Sequence, residues 1–308
     1  MVDGSDVAAR QLAASFGVRV TQTPSRGGPA RARNTGARVA RGEILFFVDA
    51  DVLIARDAVG QVTDAFRQEP ALAAVFGSYD DAPGARNFLS QYKNLFHHYV
   101  HQSAREEAST FWAGCGAIRR EVFLALGGFD ERYRQPAIED IELGYRLRQA
   151  GHRIELCKTL QVKHLKRWTA VSLLQSDILA RALPWSALIL RRGFIKDLNI
   201  TVSNRVSVVA ACGLLVTLLG AWRWPSLWWI AAALAALLLG LNAPLYRFFW
   251  RKRGVPFSLR TIPWHWFYFL YSGVAFAIAT ALHCIRRTQA PEPTAQPPLS
   301  TKERPGAP

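Results

Sequence analysis

Two acidic pairs in this 308-residue chain have the composition and the setting for chemistry. Asp49-Ala50-Asp51 directly follows Ile44–Val48, a continuous apolar run of strand length. In open α/β sheets, ligands sit beyond the carboxyl ends of the strands. Two carboxylates one residue apart at such a place can hold a hard divalent cation, Mg2+ or Mn2+, and so neutralise a departing diphosphate. The same Asp-x-Asp also occurs in ordinary turns. The second pair, Glu139-Asp140, opens a segment whose Ile138, Ile141, Leu143, Tyr145 and Leu147 can pack a helix inward. Carboxylates at a helix N-terminus are stabilised as anions by the macrodipole, so one can serve as a base toward a hydroxyl. An acidic first turn without function is the other reading.

Between the pairs lies Phe111-Trp112-Ala113-Gly114-Cys115-Gly116-Ala117-Ile118, a strand-like segment whose glycines can let a ligand approach the backbone. Arg119–Leu126 then reads as a short helix closed by Gly127-Gly128. The four-residue spacing of His97 and His101 suits a metal on a helix, but acceptor contacts or a plain helix face fit it as well.

The elements that must position these residues follow from hydropathy. A helix is predicted over 7–16, a short strand over Val18–Thr21, a turn at Ser25–Pro29, and a helix from Pro29 to about Ala40. Ile44–Val48 is expected to be a strand covered on both faces, followed by a helix over Asp57–Gln68 and a strand over Ala73–Phe76. This alternation predicts an α/β sandwich with a mostly parallel sheet.

Beyond about residue 200 the chain changes character. Val206–Trp222 has 17 residues without a charge, Ser226–Leu245 has 20, and Ile262–Ile285 has 24 with only His265 and His283 titratable. Each can cross a hydrocarbon core of roughly 30 Å, and Trp222, Trp224, Trp228 and Trp229 suit a membrane boundary. Arg247, Arg251, Lys252, Arg253 and Arg260 load the second connection, against Arg223 alone in the first. The positive-inside rule then places the second connection and the N-terminal domain in the cytoplasm, with the tail outside. Residues 1–16 carry no signal peptide, in keeping with that. Residues 169–200 can form amphipathic helices on the membrane, and the proline-rich end reads as a disordered tail. Lys and Arg number 38 against 23 Asp and Glu, an excess that beside membrane spans points to anionic lipid or phosphate ligands. No nucleic-acid-binding motif accompanies it. Cys115, Cys157, Cys212 and Cys284 lie far apart, as small buried thiols would.

The order Asp-Gly-Ser-Asp (3–6), Gly-Pro-Ala-Arg-Ala-Arg-Asn-Thr-Gly (28–36), Phe-Val-Asp-Ala-Asp (47–51), Gly-Cys-Gly-Ala-Ile-Arg (114–119), Gly-Gly-Phe-Asp-Glu (127–131) and Glu-Asp-Ile-Glu-Leu (139–143) resembles the family-2 glycosyltransferases of GT-A fold. The resemblance runs to about residue 168. It implies a membrane-bound hexosyltransferase moving a sugar, with inversion, from a nucleotide-diphosphate sugar to a lipid-linked or saccharide acceptor in cell-envelope glycan or glycolipid synthesis. It implies Asp51 as principal metal ligand, Asp49 toward the metal or the ribose, Asp140 as base and Glu139 as its neighbour. Asp3, Arg33 and Asn34 would lie near the nucleotide, with Gly114, Cys115 and Gly116 on the floor of the sugar–acceptor cleft. His164 would lie near the diphosphate, with Lys166 or Arg167 on a phosphate; these three also fit a basic juxtamembrane face.

The resemblance has two departures. The strand–helix–strand unit that normally precedes the Asp-Gly-Ser turn is missing, so a GT-A domain over 1–168 is expected to be N-terminally incomplete. The Gln-x-x-Arg-Trp signature of processive synthases is also missing, Arg181-Ala182-Leu183-Pro184-Trp185 being a loose echo, which favours single addition. The expected plan is completed by interfacial helices over 169–205, about three spans over 206–285 in the plasma or inner membrane, and a tail over 286–308. The alternative function is a catalytically silent relative acting as a membrane scaffold.

Overall fold

In the computed structural model, the described residues are 7–23, 27–193, 198 and 201–289. The Asp3–Asp6 turn, the Ser25-Arg26 part of the next turn and most of the tail lie outside them.

Six strands form one sheet: β1 (Ile44–Val48), β2 (Val52–Ile54), β3 (Leu72–Tyr79), β4 (Glu107–Ala108), β5 (Cys115–Arg119) and β6 (Arg153–His164), in the order β1-β5-β3-β6-β2 with β4 on β6. The sheet is mixed, which corrects the expectation of mostly parallel pairing. Among the described residues only β3 and β6 pair in parallel; β5 enters reversed between β1 and β3 and is antiparallel to both. The continuous apolar run at β1 also has another cause than expected. β1 is an edge strand whose Leu45 is buried while Val48 is exposed. β3 is the strand covered on both faces, with all eight residues buried. Val18–Thr21 forms no strand.

Helices cover both faces of the sheet. α2 (Gly28–Val39), α5 (Arg120–Ala125) and α6 (Glu139–Gln149) close one core, in which Ala30, Phe123 and Leu143 meet Phe76 and Ile118 of the sheet. α3 (Ala58–Gln68) closes the other, where Val62 and Phe66 meet Val75, Leu160 and Val162. Phe76 and Val75 are neighbours in β3, so the strand's two-residue period feeds both cores. α1 (Val7–Ser15) precedes them, close to its expected range.

α4 (Phe88–Ser103) joins this domain to the helices that follow. Its Tyr92, Leu95 and Phe96 share a core with Leu245, Tyr246 and Phe249 of α10 (Leu227–Arg253). α7 (Ala170–Leu174) begins at a capping box between Thr169 and Ser172. It runs through a π-helical stretch, Gln175–Ala182, into α8 (Leu183–Arg192). Pro184 lacks the N–H that would continue the ladder just after the widened turns. Leu188 of α8 packs on Ile138 and Tyr145 beside α6. In the π-helical stretch, Asp177 accepts from Lys93 of α4 at 2.5 Å and from the hydroxyl of Tyr271 in α11 (Val255–Gln289) at 2.8 Å.

Ala170–Arg192, Val202–Ala221 (α9), Leu227–Arg253 and Val255–Ile285 are four helices long and apolar enough to cross a membrane. The first was expected to be interfacial and was not counted among the spans. Buried Asn242 of α10 donates to Ser207 of α9 at 3.1 Å, a polar tie inside an apolar bundle. Trp222, Trp224, Trp228 and Trp229 are exposed at the α9–α10 turn. At the other end of α10, Lys252 pairs with Asp81 and Arg253 donates to Gln91 at 2.7 Å, so the basic end lies against the sheet domain. Among the described cysteines only Cys115 is buried and Cys284 is exposed on α11, which corrects the expectation of uniformly buried thiols.

Candidate active site

β1 ends where it must to deliver Asp49 and Asp51. The amide of Asp49 donates to the carbonyl of Gly114 at 3.1 Å, extending the β1–β5 ladder by one step into the acidic turn. Asp51 then stands beside His164 at the end of β6, with Nε2 3.5 Å from Oδ2. Hydrogen bonding to this imidazole lowers the Asp51 pKa, outweighing partial burial, with help from the charge of Lys166. The Asp51 carboxylate is 44% exposed, so it is anionic and still open to a ligand. His164 is itself buried and stacked on Tyr79, ring centroids 4.5 Å apart.

Arg33 of α2 ties the two acidic pairs together. It donates to Asp49 at 2.6 Å and to Glu139 at 2.8 Å. Burial opposes the charge of Arg33, but Asp49, Glu139 and Asp140 outweigh it and raise its pKa. Glu139 is buried and also accepts the amide of Ala137 at 2.9 Å. Asp140 opens α6, where it accepts from the amides of Ile141 at 2.8 Å and Ala113 at 3.2 Å. Burial, reinforced by the neighbouring Glu139 charge, raises its pKa to about 6, against the pull of Arg33. A carboxylate tuned to that range is a competent proton acceptor near neutral pH.

The remaining predicted residues are placed as follows. Asn34 uses its amide on the backbone of Phe129, at 2.8 Å in each direction, and donates to Glu131 at 3.0 Å, so its side chain braces the Gly127–Glu131 turn. Cys115 lies in the α3-side core, where burial pushes its thiol up to about 12 and leaves it inert. Gly114 and Gly116 do face a close approach, but by the chain itself. A side chain at Gly114 would meet the Trp112 ring at 2.4 Å, and one at Gly116 the Trp112 carbonyl at 2.3 Å. Lys166 sits 4.1 Å from the Trp168 ring centroid, and Arg167 is exposed and forms no ion pair among the described residues. Asp3 lies outside the described residues.

Around this cleft, sequence reasoning passed over Tyr79 and noted His97, His101 and Arg181 without joining them to the site. Tyr79 closes β3 under the acidic turn, stacked between His164 and the edge of Trp112 at 4.7 Å. The strand-end rule could have found it. On α4, His101 is buried and His97 is partly buried, and Arg181 of the π-helical stretch reaches His97 at 3.4 Å. The matched four-residue spacings Lys93/His97 and Asp177/Arg181 were the available signal.

Gly144 sets the distance between α6 and the 110–113 segment. An added side-chain carbon there would meet the Phe111 amide nitrogen at 2.4 Å and Thr110 backbone atoms at 2.6 Å. Backbone cannot yield as a flexible side chain can, so Gly144→Ala should displace α6 and stretch the Ala113–Asp140 bond. We expect a loss of about 1–3 kcal/mol, seen as a lower thermal midpoint. Sugar transfer should slow while donor affinity is retained.

Comparison with known proteins agrees with this architecture. The sequence model described as "Glycosyltransferase like family 2" matches residues 15–197. Among solved structures, a mannosyltransferase, PcManGT from Pyrobaculum calidifontis in complex with GDP-Man and Mn2+, aligns with a TM-score of 0.50 and 19% identity over 88% of this chain and 73% of its own. GalNAc-T7 with UDP, GalNAc and Mn2+ aligns with a TM-score of 0.40 and 20% identity over 52% of this chain. The chain spans 34% of the length of GalNAc-T7. The sheet with the acidic turn at the end of β1 is thus a GT-A fold carrying membrane-capable helices, and the chain belongs to glycosyltransferase-like family 2.

Proposed function

We propose that this chain is a membrane-bound inverting glycosyltransferase, moving a sugar from a nucleotide-diphosphate donor to a hydroxyl of a lipid-linked or saccharide acceptor by single addition. One observation carries the reading: Arg33 holds Asp49 and Glu139 at 2.6 and 2.8 Å, which brings the Asp-x-Asp turn and the Glu-Asp helix start to one cleft. An anionic end for the donor and a tuned base for the acceptor are what displacement at a sugar carbon requires.

Asp140 takes the acceptor proton on one of its oxygens. The Ala113 and Ile141 amides orient the carboxylate, and Glu139, saturated by Arg33 and Ala137, keeps it basic. Arg33 also fixes Asp49, and the stacked Tyr79–His164 pair floors the cleft. No preformed cluster of three metal-ligating groups occurs among the described residues. The open carboxylate of Asp51 beside a histidine nitrogen is nevertheless a donor set that fits Mn2+ or Mg2+ once a diphosphate adds its oxygens. Asp51 and His164 would hold the ion, with Asp49 next to it, and a bound cation would supply charge neutralisation for the leaving diphosphate.

α10 supports a cytoplasmic sheet domain. Its basic end, Lys252 and Arg253, touches Asp81 and Gln91 of that domain, the arrangement the positive-inside rule favours for a cytoplasmic side. The helix Ala170–Arg192 packs on α6 and on α11 at once, which supports an interfacial element delivering an amphiphilic acceptor.

Calorimetric titration of the detergent-purified chain with UDP and then GDP, with and without Mn2+, tests the reading. The expected result is Mn2+-dependent binding of one nucleotide, weakened at least tenfold in Asp51→Ala. Nucleotide binding that ignores both the metal and Asp51, or none at all, would sink it.

A further inference from the structure

Facing the acidic turn across Tyr79, α4 and the π-helical stretch pair their side chains in matched steps. Lys93 and His97 are four residues apart on α4, as are Asp177 and Arg181 on the π-helical stretch. The first step joins a cation to an anion, Lys93 to Asp177 at 2.5 Å. In the second, Arg181 donates to Nε2 of His97 at 3.4 Å. Burial, with the nearby charges of Lys93, Arg181 and His101, holds the His97 pKa well below the ordinary imidazole range. The ring is therefore neutral and brings no charge to Arg181.

Neither nearby carboxylate balances this guanidinium. Asp177 is taken by Lys93 and the Tyr271 hydroxyl, and Asp140 by two backbone amides. Among the described residues Arg181 forms no ion pair. Yet it is partly buried, and its charge is felt by Tyr79, His97, His101 and Asp140, which places it over the cleft. Arginine does not shed its proton, so a partly desolvated guanidinium on a neutral ring lacks its counterion. Its planar fork matches the oxygens of a phosphate. Asp177 anchors the stretch bearing Arg181 to both α4 and α11, which fixes the position of the guanidinium.

We propose that Arg181, seated on His97, binds a phosphate group in the cleft, one carried by the acceptor or one leaving with the nucleotide. The proposal rests on the transferase reading, in which both substrates of the cleft can bring phosphate. It is testable apart from it because the seat contains no residue of the acidic turn.

The experiment uses the full chain in detergent with EDTA, titrated with inorganic phosphate and with decyl phosphate. The expected result is metal-independent binding of at least one of the two, weakened tenfold or more in Arg181→Gln and partly restored in Arg181→Lys. Thermal midpoints of the variants show that each is folded. Equal binding by wild type and Arg181→Gln, or no binding by wild type, overturns the proposal. A second arm repeats the Mn2+-dependent nucleotide titration on Arg181→Gln. Weakened UDP or GDP binding assigns the seat to the leaving diphosphate. Unaltered nucleotide binding with lost decyl phosphate binding assigns it to the acceptor. If Mn2+-dependent nucleotide binding fails in wild type while Arg181-dependent phosphate binding persists, the transferase reading falls and the seat stands.

Discussion

Asp140→Asn is expected to lower the turnover of sugar transfer by about a thousandfold, within the span assigned to a positioned general base, while Mn2+-dependent nucleotide binding stays near wild type. The amide keeps the shape, and its single oxygen can still accept from one of the Ala113 and Ile141 N–H groups, so the cleft should remain assembled at the loss of one of these two bonds. What disappears is the proton acceptor. The pH profile carries the same information with a definite sign. Burial and Glu139 raise the Asp140 pKa to about 6, and only the ionised form accepts a proton. Transfer should therefore be flat above that pH and fall about tenfold per unit below it, a limb that Asp140→Asn removes. Steady-state rates between pH 5 and 8, with nucleotide affinity measured alongside, decide the matter. Equal losses of turnover and donor affinity would assign Asp140 to binding.

Arg33→Met is expected to be the most destabilising single change in the cleft. The guanidinium holds Asp49 and Glu139, and the Glu139 side chain is only 5% exposed. Removing one member of a buried pair leaves the other charge desolvated without compensation, which costs about 3–5 kcal/mol. The double variant Arg33→Met/Glu139→Gln should recover most of that loss, since a neutral amide needs no counterion, and should still transfer sugar poorly. Thermal unfolding of wild type, both single variants and the double variant separates the terms. An unchanged midpoint in Arg33→Met would show that the Arg33–Glu139 bridge contributes nothing to stability.

The two acidic pairs were legible because each sits at the end of an element whose own signal is local. An apolar run announces β1 just before Asp49, and helical periodicity announces α6 just after Glu139. The bridge between them was not legible, since nothing near Arg33 states that α2 will lie against both. Strand direction was equally hidden: hydropathy marks Cys115–Arg119 as a strand without saying that it enters between β1 and β3 reversed. Gly114 and Gly116 carried a true signal of close approach, but the approaching group is Trp112, two and four residues away in the chain. Arg181 was not joined to the site because its surroundings were compared with a signature they do not match. Its setting comes from a π-helical stretch, a widening that propensity does not encode.

α4 has a consequence for how this protein comes apart. One flank lines the cleft with His97 and His101 under Tyr79 and Trp112. The other flank, through Tyr92, Leu95 and Phe96, is core for α10, while Lys93 reaches the stretch that Tyr271 of α11 also holds. A cut near residue 168 would strip that second flank bare and orphan a buried ammonium. The sheet domain and the membrane-capable helices therefore share one core and are expected to unfold together, so that order in the cleft is inherited from helices that never enter it.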